Sequence, residues 1–379
     1  MSRAIALVYI ASFGAMTNFY LMLGITPLYA ISSGSGDFSA AITTTIFMLA
    51  TVGAELATTT VMRQIGQQST LALGIVLLGV PVFVLLLSSA LPVILVVSAV
   101  RGIGFAFVII AGAAMVAALT DESHHGRGIA LYGVVVGIPS VLALPFGVWL
   151  VEHIGFTPLF LFSGAAALLG IITLLIRIDI PRPDEVHGLL RTLRRPAVLR
   201  LAIVFFCSTL AAGVVITWTP ITGSATHGSF PAAAALFAYG LAATGARWLA
   251  GRFGDSRDPN ALLVPSVVVG AAGLFVMALF SDWMIVGALV FGIGLGFLQN
   301  ATLQLMFKSA GPSGYGSASA IWNVAYDIGL AIGAFGFGAL SASYSLPLLV
   351  AAVLVLASIA VIALWRRSGS SESSQVTAG

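Results

Sequence analysis

Three ionisable side chains stand well inside long apolar runs of this 379-residue chain: Glu55, Arg101 and Asp327. A charge at the middle of a lipid-spanning helix costs about 2.5–3.5 kcal/mol on insertion scales, so such residues are functional candidates by default. At 1.5 Å per residue, Arg101 and Asp327 each lie about 15 Å from the start of their runs, close to the depth of a bilayer midplane. Glu55 lies nearer the far end of its run. The chemistry open to this set is proton exchange. A guanidinium beside a carboxylate keeps it ionised, whereas apolar surroundings favour its protonated form. Asp327 is the first candidate carrier and Glu55 the second; the plainer alternative is a static buried pair that fixes helix packing.

Other signatures of chemistry are missing. His124 and His125 are adjacent, beside Asp121 and Glu122, and do not have the i, i+4 spacing of a helical metal pair. No Gly-Lys-Ser/Thr phosphate loop occurs, so direct use of ATP is not expected. Gly102-x-Gly104 lies inside an apolar run rather than after a strand, which rules out a dinucleotide site. The sequence implies no cofactor, no metal and no enzyme. Cys207 is the single cysteine; it can form no disulfide within the chain and reads as a small packing residue.

The elements that carry these residues follow from composition. Hydrophobic residues make up 59% of the chain and charged residues 8%, against about 25% charged in a soluble domain. Twelve continuous apolar segments can be placed near 4–30, 39–61, 70–88, 91–119, 128–151, 157–177, 200–222, 231–250, 260–280, 283–307, 316–341 and 345–365. Most are long enough for the roughly 20 residues of a spanning helix. They lack the alternation of a β-barrel. The first is too long for a signal-peptide core and reads as the first spanning helix.

The net charge of +3 suggests nucleic acid until the charges are placed. Arg3, Arg63, Arg127, Arg177, Arg182, Arg191, Arg194, Arg195, Arg200, Arg252, Arg257, Lys308, Arg366 and Arg367 all fall at the two ends or in every second connection. The positive-inside rule then places both termini and the long central loop in the cytoplasm, and the chain in the cytoplasmic membrane. No nucleic-acid partner is expected. The central loop, 179–199, holds Pro181, Pro183 and Pro196 beside an arginine run. It reads as a solvated linker, with docking on anionic lipid head groups as the alternative. Residues 366–379 have the composition of a disordered cytoplasmic tail.

The chain also repeats itself. Thr26-Pro27-Leu28 in segment 1 matches Thr219-Pro220-Ile221 in segment 7. The Val100–Phe107 stretch, with Gly102-Ile-Gly104, matches Val290–Phe297, with Gly292-Ile-Gly294. Gly126-Arg-Gly128 before segment 5 matches Gly314-Tyr-Gly316 before segment 11. The offset stays near 190 residues throughout. Such a repeat predicts two parallel six-helix bundles, 1–178 and 200–365, that rock about a site between them.

Over essentially its whole length the sequence resembles the major facilitator superfamily, and within it the twelve-helix exporter branch for drugs and other small molecules. The motif behind this is the loop between segments 8 and 9, Arg247-Trp-Leu-Ala-Gly251-Arg252-Phe-Gly254-Asp255. In the family it forms a charge latch at the cytoplasmic end. The corresponding loop between segments 2 and 3 departs from the pattern: Arg63 stands where the family has its acid, and only Gly66 is kept. Leu21–Ala30 in segment 1 and Gly133-x-x-x-Gly137-x-Pro139 with Pro145-Phe-Gly147 in segment 5 are similar to exporter and antiporter motifs with altered endings or spacing. The resemblance implies an all-α membrane protein of twelve transmembrane helices in two pseudo-symmetric bundles. It implies a cavity lined by segments 1, 4, 7 and 10, where Asn18, Tyr20, Trp218, Gln299, Asn300 and Gln304 would meet a ligand, with Asn323 one turn before Asp327. It places Arg101 in the region of an arginine motif linked to proton coupling. The function implied is proton-coupled efflux of a small molecule by a monomer in the lipid bilayer. An importer or uniporter remains open, as does a non-transporting sensor or scaffold.

Overall fold

Backbone N–H and C=O groups have no water to bind in hydrocarbon, so a chain this apolar must satisfy them within helices. The computed structural model describes residues 3–119, 125–171, 189–254, 258–310, 315–340 and 345–376. Every regular element among them is helical. They are α1 (Arg3–Ala30), α2 (Asp37–Ile65), α3 (Gln67–Gly79), α4 (Leu91–Leu119), α5 (His125–Ile154), α6 (Phe156–Leu168) and α7 (Leu189–Leu193). The second part of the chain adds α8 (Pro196–Trp218), α9 (Ser224–His227), α10 (Ser229–Gly254), α11 (Asn260–Leu279), α12 (Met284–Ala310), α13 (Tyr315–Leu340) and α14 (Leu346–Val376).

Eleven of the described helical spans have the length and apolarity to cross a membrane. The twelfth expected one, segment 6, is apolar but shorter over its described residues, Phe156–Ile171. The rest of that segment and residues 179–188 of the central loop lie outside the described residues. Helix α14 runs on past its apolar span, Leu346–Ala363, into the serine-rich stretch whose composition suggests a disordered tail.

Two breaks explain the repeated Thr-Pro pairs. Helix α1 carries Pro27 and gives way to a π-helical turn at Ile31–Ser35, ending where Gly34 takes φ +85°. Helix α8 ends in another π-helical turn, Thr219–Gly223, which contains Pro220. Proline lacks the N–H that would continue the ladder, so the helix loosens at these points.

The chain forms two compact units. The first comprises Met1–Glu185 with Ile216–Phe237 and Ala334–Ser341; the second comprises Val186–Val215, Ala238–Gly333 and Ala342–Gly379. Both are held by small residues, because lipid supplies no hydrophobic drive between helices and close backbone approach must replace it. In the first unit, a methyl group at Gly102 would strike the Phe47 carbonyl and Ala50 of α2, while one at Gly104 would strike Gly74 and Leu78 of α3. Helix α4 is thereby wedged between two neighbours, and Thr51 ties α2 to it by donating to the Gly102 carbonyl at 3.1 Å. In the second unit, Gly292 abuts the Tyr239 carbonyl and Ala242 of α10, and Gly294 abuts Gly270 and Ser266 of α11.

Candidate functional site

The first unit builds a polar knot in its interior around Arg101. The side chain is only 2% exposed. Its Nη2 donates to Asn18 Oδ1 at 2.9 Å. The Asn18 amide in turn donates from Nδ2 to the Ser163 carbonyl at 3.0 Å and to Ser163 Oγ at 2.8 Å. One asparagine therefore joins α1, α4 and α6, with donors and acceptor all engaged. The guanidinium carbon lies 5.4 Å from the centre of the Phe47 ring, within reach of a cation–π attraction. Phe47 belongs to an aromatic cluster in which Phe19 and Phe105 stack at 4.0 Å.

Arg101 also lines a cavity together with Phe19, Met22, Thr26, Thr43 and Phe47. Its water-accessible space is about 10 Å³, room for roughly one water molecule. Two buried donors at this cavity, Arg101 Nε and Thr26 Oγ1, have no hydrogen-bond partner among the described residues.

The three intramembrane charges are divided between the two units. Asp327 is 4% exposed on α13 in the second unit. Glu55 is buried on α2 in the first unit with Arg101. It does not pair with Arg101, and helix register explains why. Gly102 sits against Phe47, and Ala106 packs with Ala54, so α2 and α4 run side by side in parallel. By these contacts the Glu55 backbone lies roughly 9–12 Å further along the axis than that of Arg101.

The sequence profile of the Major Facilitator Superfamily matches residues 8–334 of the chain. The chain belongs to the Major Facilitator Superfamily. It is a multi-pass membrane protein and, with that family, a membrane transporter. A comparison with curated proteins gave no match.

In this facilitator chain the remaining candidates fall into distinct settings. Tyr20 is half-buried and meets Phe19 edge-on at 4.7 Å. Trp218, at the end of α8, is fully enclosed. On α12, Gln299 is buried, while Gln304 donates to Asn300 Oδ1 one turn earlier at 2.5 Å. That pair satisfies itself within one helix. Asn323 is half-buried on α13. Beside it, Trp322 stacks on Phe205 of α8 at 4.5 Å and donates from Nε1 to Thr302 Oγ1 at 3.2 Å.

The loop motif is only partly described. Arg247 is exposed, with its guanidinium 5.6 Å from the centre of the Trp322 ring. Gly251 and Arg252 are described only as helical backbone, and Asp255 lies outside the described residues. In the other loop, Gly66 ends α2 with φ +85°, donating its N–H to the Met62 carbonyl at 2.9 Å. A left-handed residue that both ends one helix and opens the next favours glycine, which accounts for Gly66 surviving where the rest of the motif is altered. Arg63 is half-buried in the last turn of α2, where a cation complements the helix dipole.

Three features had no distinct sequence signal. Ser163 is one small polar residue in a Gly/Ala-rich run. Thr26 was visible only as part of the repeated Thr-Pro pair, not as a donor beside Arg101. Arg195 was one arginine of a run, yet its Nη1 donates to the carbonyls of Ser309 and Ala310 at 2.7 and 2.8 Å. It thereby closes the C-terminal end of α12, where the last carbonyls lack intrahelical partners.

Proposed function

We propose that the chain is a secondary active transporter that couples proton movement to efflux of a small molecule, akin to the exporter branch of its superfamily. The observation that carries this reading is the burial of opposite charges on apolar helices, Arg101 at 2% and Asp327 at 4% exposure. Charges so expensive in hydrocarbon are retained where they do work. Asp327 carries the proton, with Glu55 as the second carrier and Arg101 setting the field. Tyr20, Gln299, Asn300, Gln304 and Asn323 face the transported compound, while Asn18, engaged in the knot, and Trp218, fully enclosed, shape the bundle around it. The Arg247–Asp255 loop and its partner at Arg63 and Gly66 gate the cytoplasmic end.

On this reading the protein works as a monomer with both termini in the cytoplasm, and the halves 1–178 and 200–365 alternate about the site. Parallel packing supports the two halves: Gly102 and Gly104 grip segments 2 and 3 as Gly292 and Gly294 grip segments 8 and 9. The test is proteoliposome flux under an imposed pH gradient, comparing wild type with Asp327→Asn. Substrate flux should dissipate the gradient, and Asp327→Asn should abolish that coupling at unchanged protein folding. Normal coupled flux in the variant would remove Asp327 from the mechanism.

A further inference from the structure

We propose that the cavity at Arg101 is the seat of an anionic headgroup, so that the transported compound is a small monoanion, such as a carboxylate, with an apolar or aromatic body. The inference rests on the transporter reading and supplies its substrate class. Arg101 is only 2% exposed, and its one hydrogen bond among the described residues goes to a neutral amide. Register sets the Glu55 backbone roughly 9–12 Å along the axis from that of Arg101. The knot therefore holds a net positive charge, which a cationic ligand would meet with repulsion and an anion with attraction.

The cavity wall specifies the rest. Arg101 is its one charged lining residue among those described, which suits a monoanion and leaves the second charge of a phosphate unmatched. Arg101 Nε and Thr26 Oγ1 are both buried without a partner and border the same space. One carboxylate oxygen, with its two lone pairs, accepts from the guanidinium Nε–H and the hydroxyl together. Phe19 and Phe47 supply an aromatic side to the cavity. With room for about one water, the space accepts a headgroup oxygen, while the body of the ligand must lie outside it. Arg101 then holds the substrate's charge and leaves the proton to a carboxylate elsewhere.

The test uses the full chain in lipid nanodiscs, with thermal unfolding followed against benzoate, acetate, and their neutral amides benzamide and acetamide; benzylamine supplies the cation. Benzoate should raise the unfolding temperature in a saturable way, and acetate should do so more weakly. The amides and benzylamine should not. Benzoate binding should weaken at least tenfold in Arg101→Gln and several-fold in Thr26→Val. Should Arg101→Gln fail to fold, the wild-type comparison of each acid with its amide decides alone. Equal effects of acid and amide, no effect of either acid, or benzoate binding within twofold of wild type in a folded Arg101→Gln would each overturn the proposal. Benzoate binding without proton-linked flux would keep the anion site and remove the coupled-transport reading. Proton-linked flux of a neutral compound with no preference for acids would do the reverse.

Discussion

Replacing Asn18 by alanine tests the knot most directly, because one side chain there makes three hydrogen bonds to two other helices. Two are donated to Ser163 at 3.0 and 2.8 Å, and one is accepted from Arg101 at 2.9 Å. Neutral interhelical hydrogen bonds in a bilayer average about 0.6 kcal/mol each, so the Ser163 pair accounts for about 1.2 kcal/mol. A hydrogen bond to a charged group is worth about 1.5–3 kcal/mol, and this is the guanidinium's single partner among the described residues. The sum is a loss of about 3–4 kcal/mol, falling to about 2 kcal/mol where a water fills the polar gap. Reversible unfolding in a lipid bilayer, followed by steric trapping, measures it. Ser163→Ala alone should cost about 0.6 kcal/mol and should cost almost nothing in the Asn18→Ala background, since a double-mutant cycle isolates the shared bond. A loss below about 0.5 kcal/mol for Asn18→Ala would refute the claim that the knot holds α1, α4 and α6 together.

Packing and capping set three further outcomes. Gly294→Ala should destabilise by about 1–3 kcal/mol, because its methyl would fall on the Gly270 backbone and the Ser266 carbonyl of α11, and overpacking carries that range of cost. Gly53→Ala, on an exposed face of α2 with nothing within 4 Å of the new methyl, should leave the unfolding temperature unchanged or slightly raised. Arg195→Ala should cost only about 0.3–1 kcal/mol, since it ends an exposed clamp at a helix C-terminus. Its mark should be faster hydrogen exchange confined to the last turn of α12.

How much of this was readable in advance depends on what kind of physics each feature uses. Apolar length and one-sided arginines report directly on the bilayer, so the helical, many-times-spanning architecture was legible. So was the importance of the Gly-Ile-Gly repeats, although only the fold shows Gly102 and Gly104 facing different neighbours. The buried charges were legible because arginine and aspartate are rare in such runs. Their partners were not. Asn18 and Ser163 are 145 residues apart, and nothing in a local pattern says which of several small polar residues a buried arginine will find. Arg195 shows the same limit, since a run of arginines conceals the one that caps a helix.

The neutral identity of the Arg101 partner also constrains how protons can move. A carboxylate that alternates between pairing with a guanidinium and protonation must reach it in at least one state. For Glu55, whose backbone lies roughly 9–12 Å along the axis from that of Arg101, that would require both side chains to extend toward each other or α2 to slide along α4. The glycine contacts oppose such a slide: Gly102 is seated against the Phe47 carbonyl and receives the Thr51 hydroxyl bond, and both would have to break together. Packed interfaces of this kind switch between discrete arrangements and do not deform continuously. On the proton-coupled reading, a proton on Glu55 is therefore not traded against Arg101 by sliding α2 along α4. Glu55→Gln should leave the acid-over-amide preference of the Arg101 cavity intact, which the benzoate and benzamide comparison reads out. Loss of that preference in the variant would mean that the two charges meet after all, and that the α2–α4 register is not held through the transport cycle.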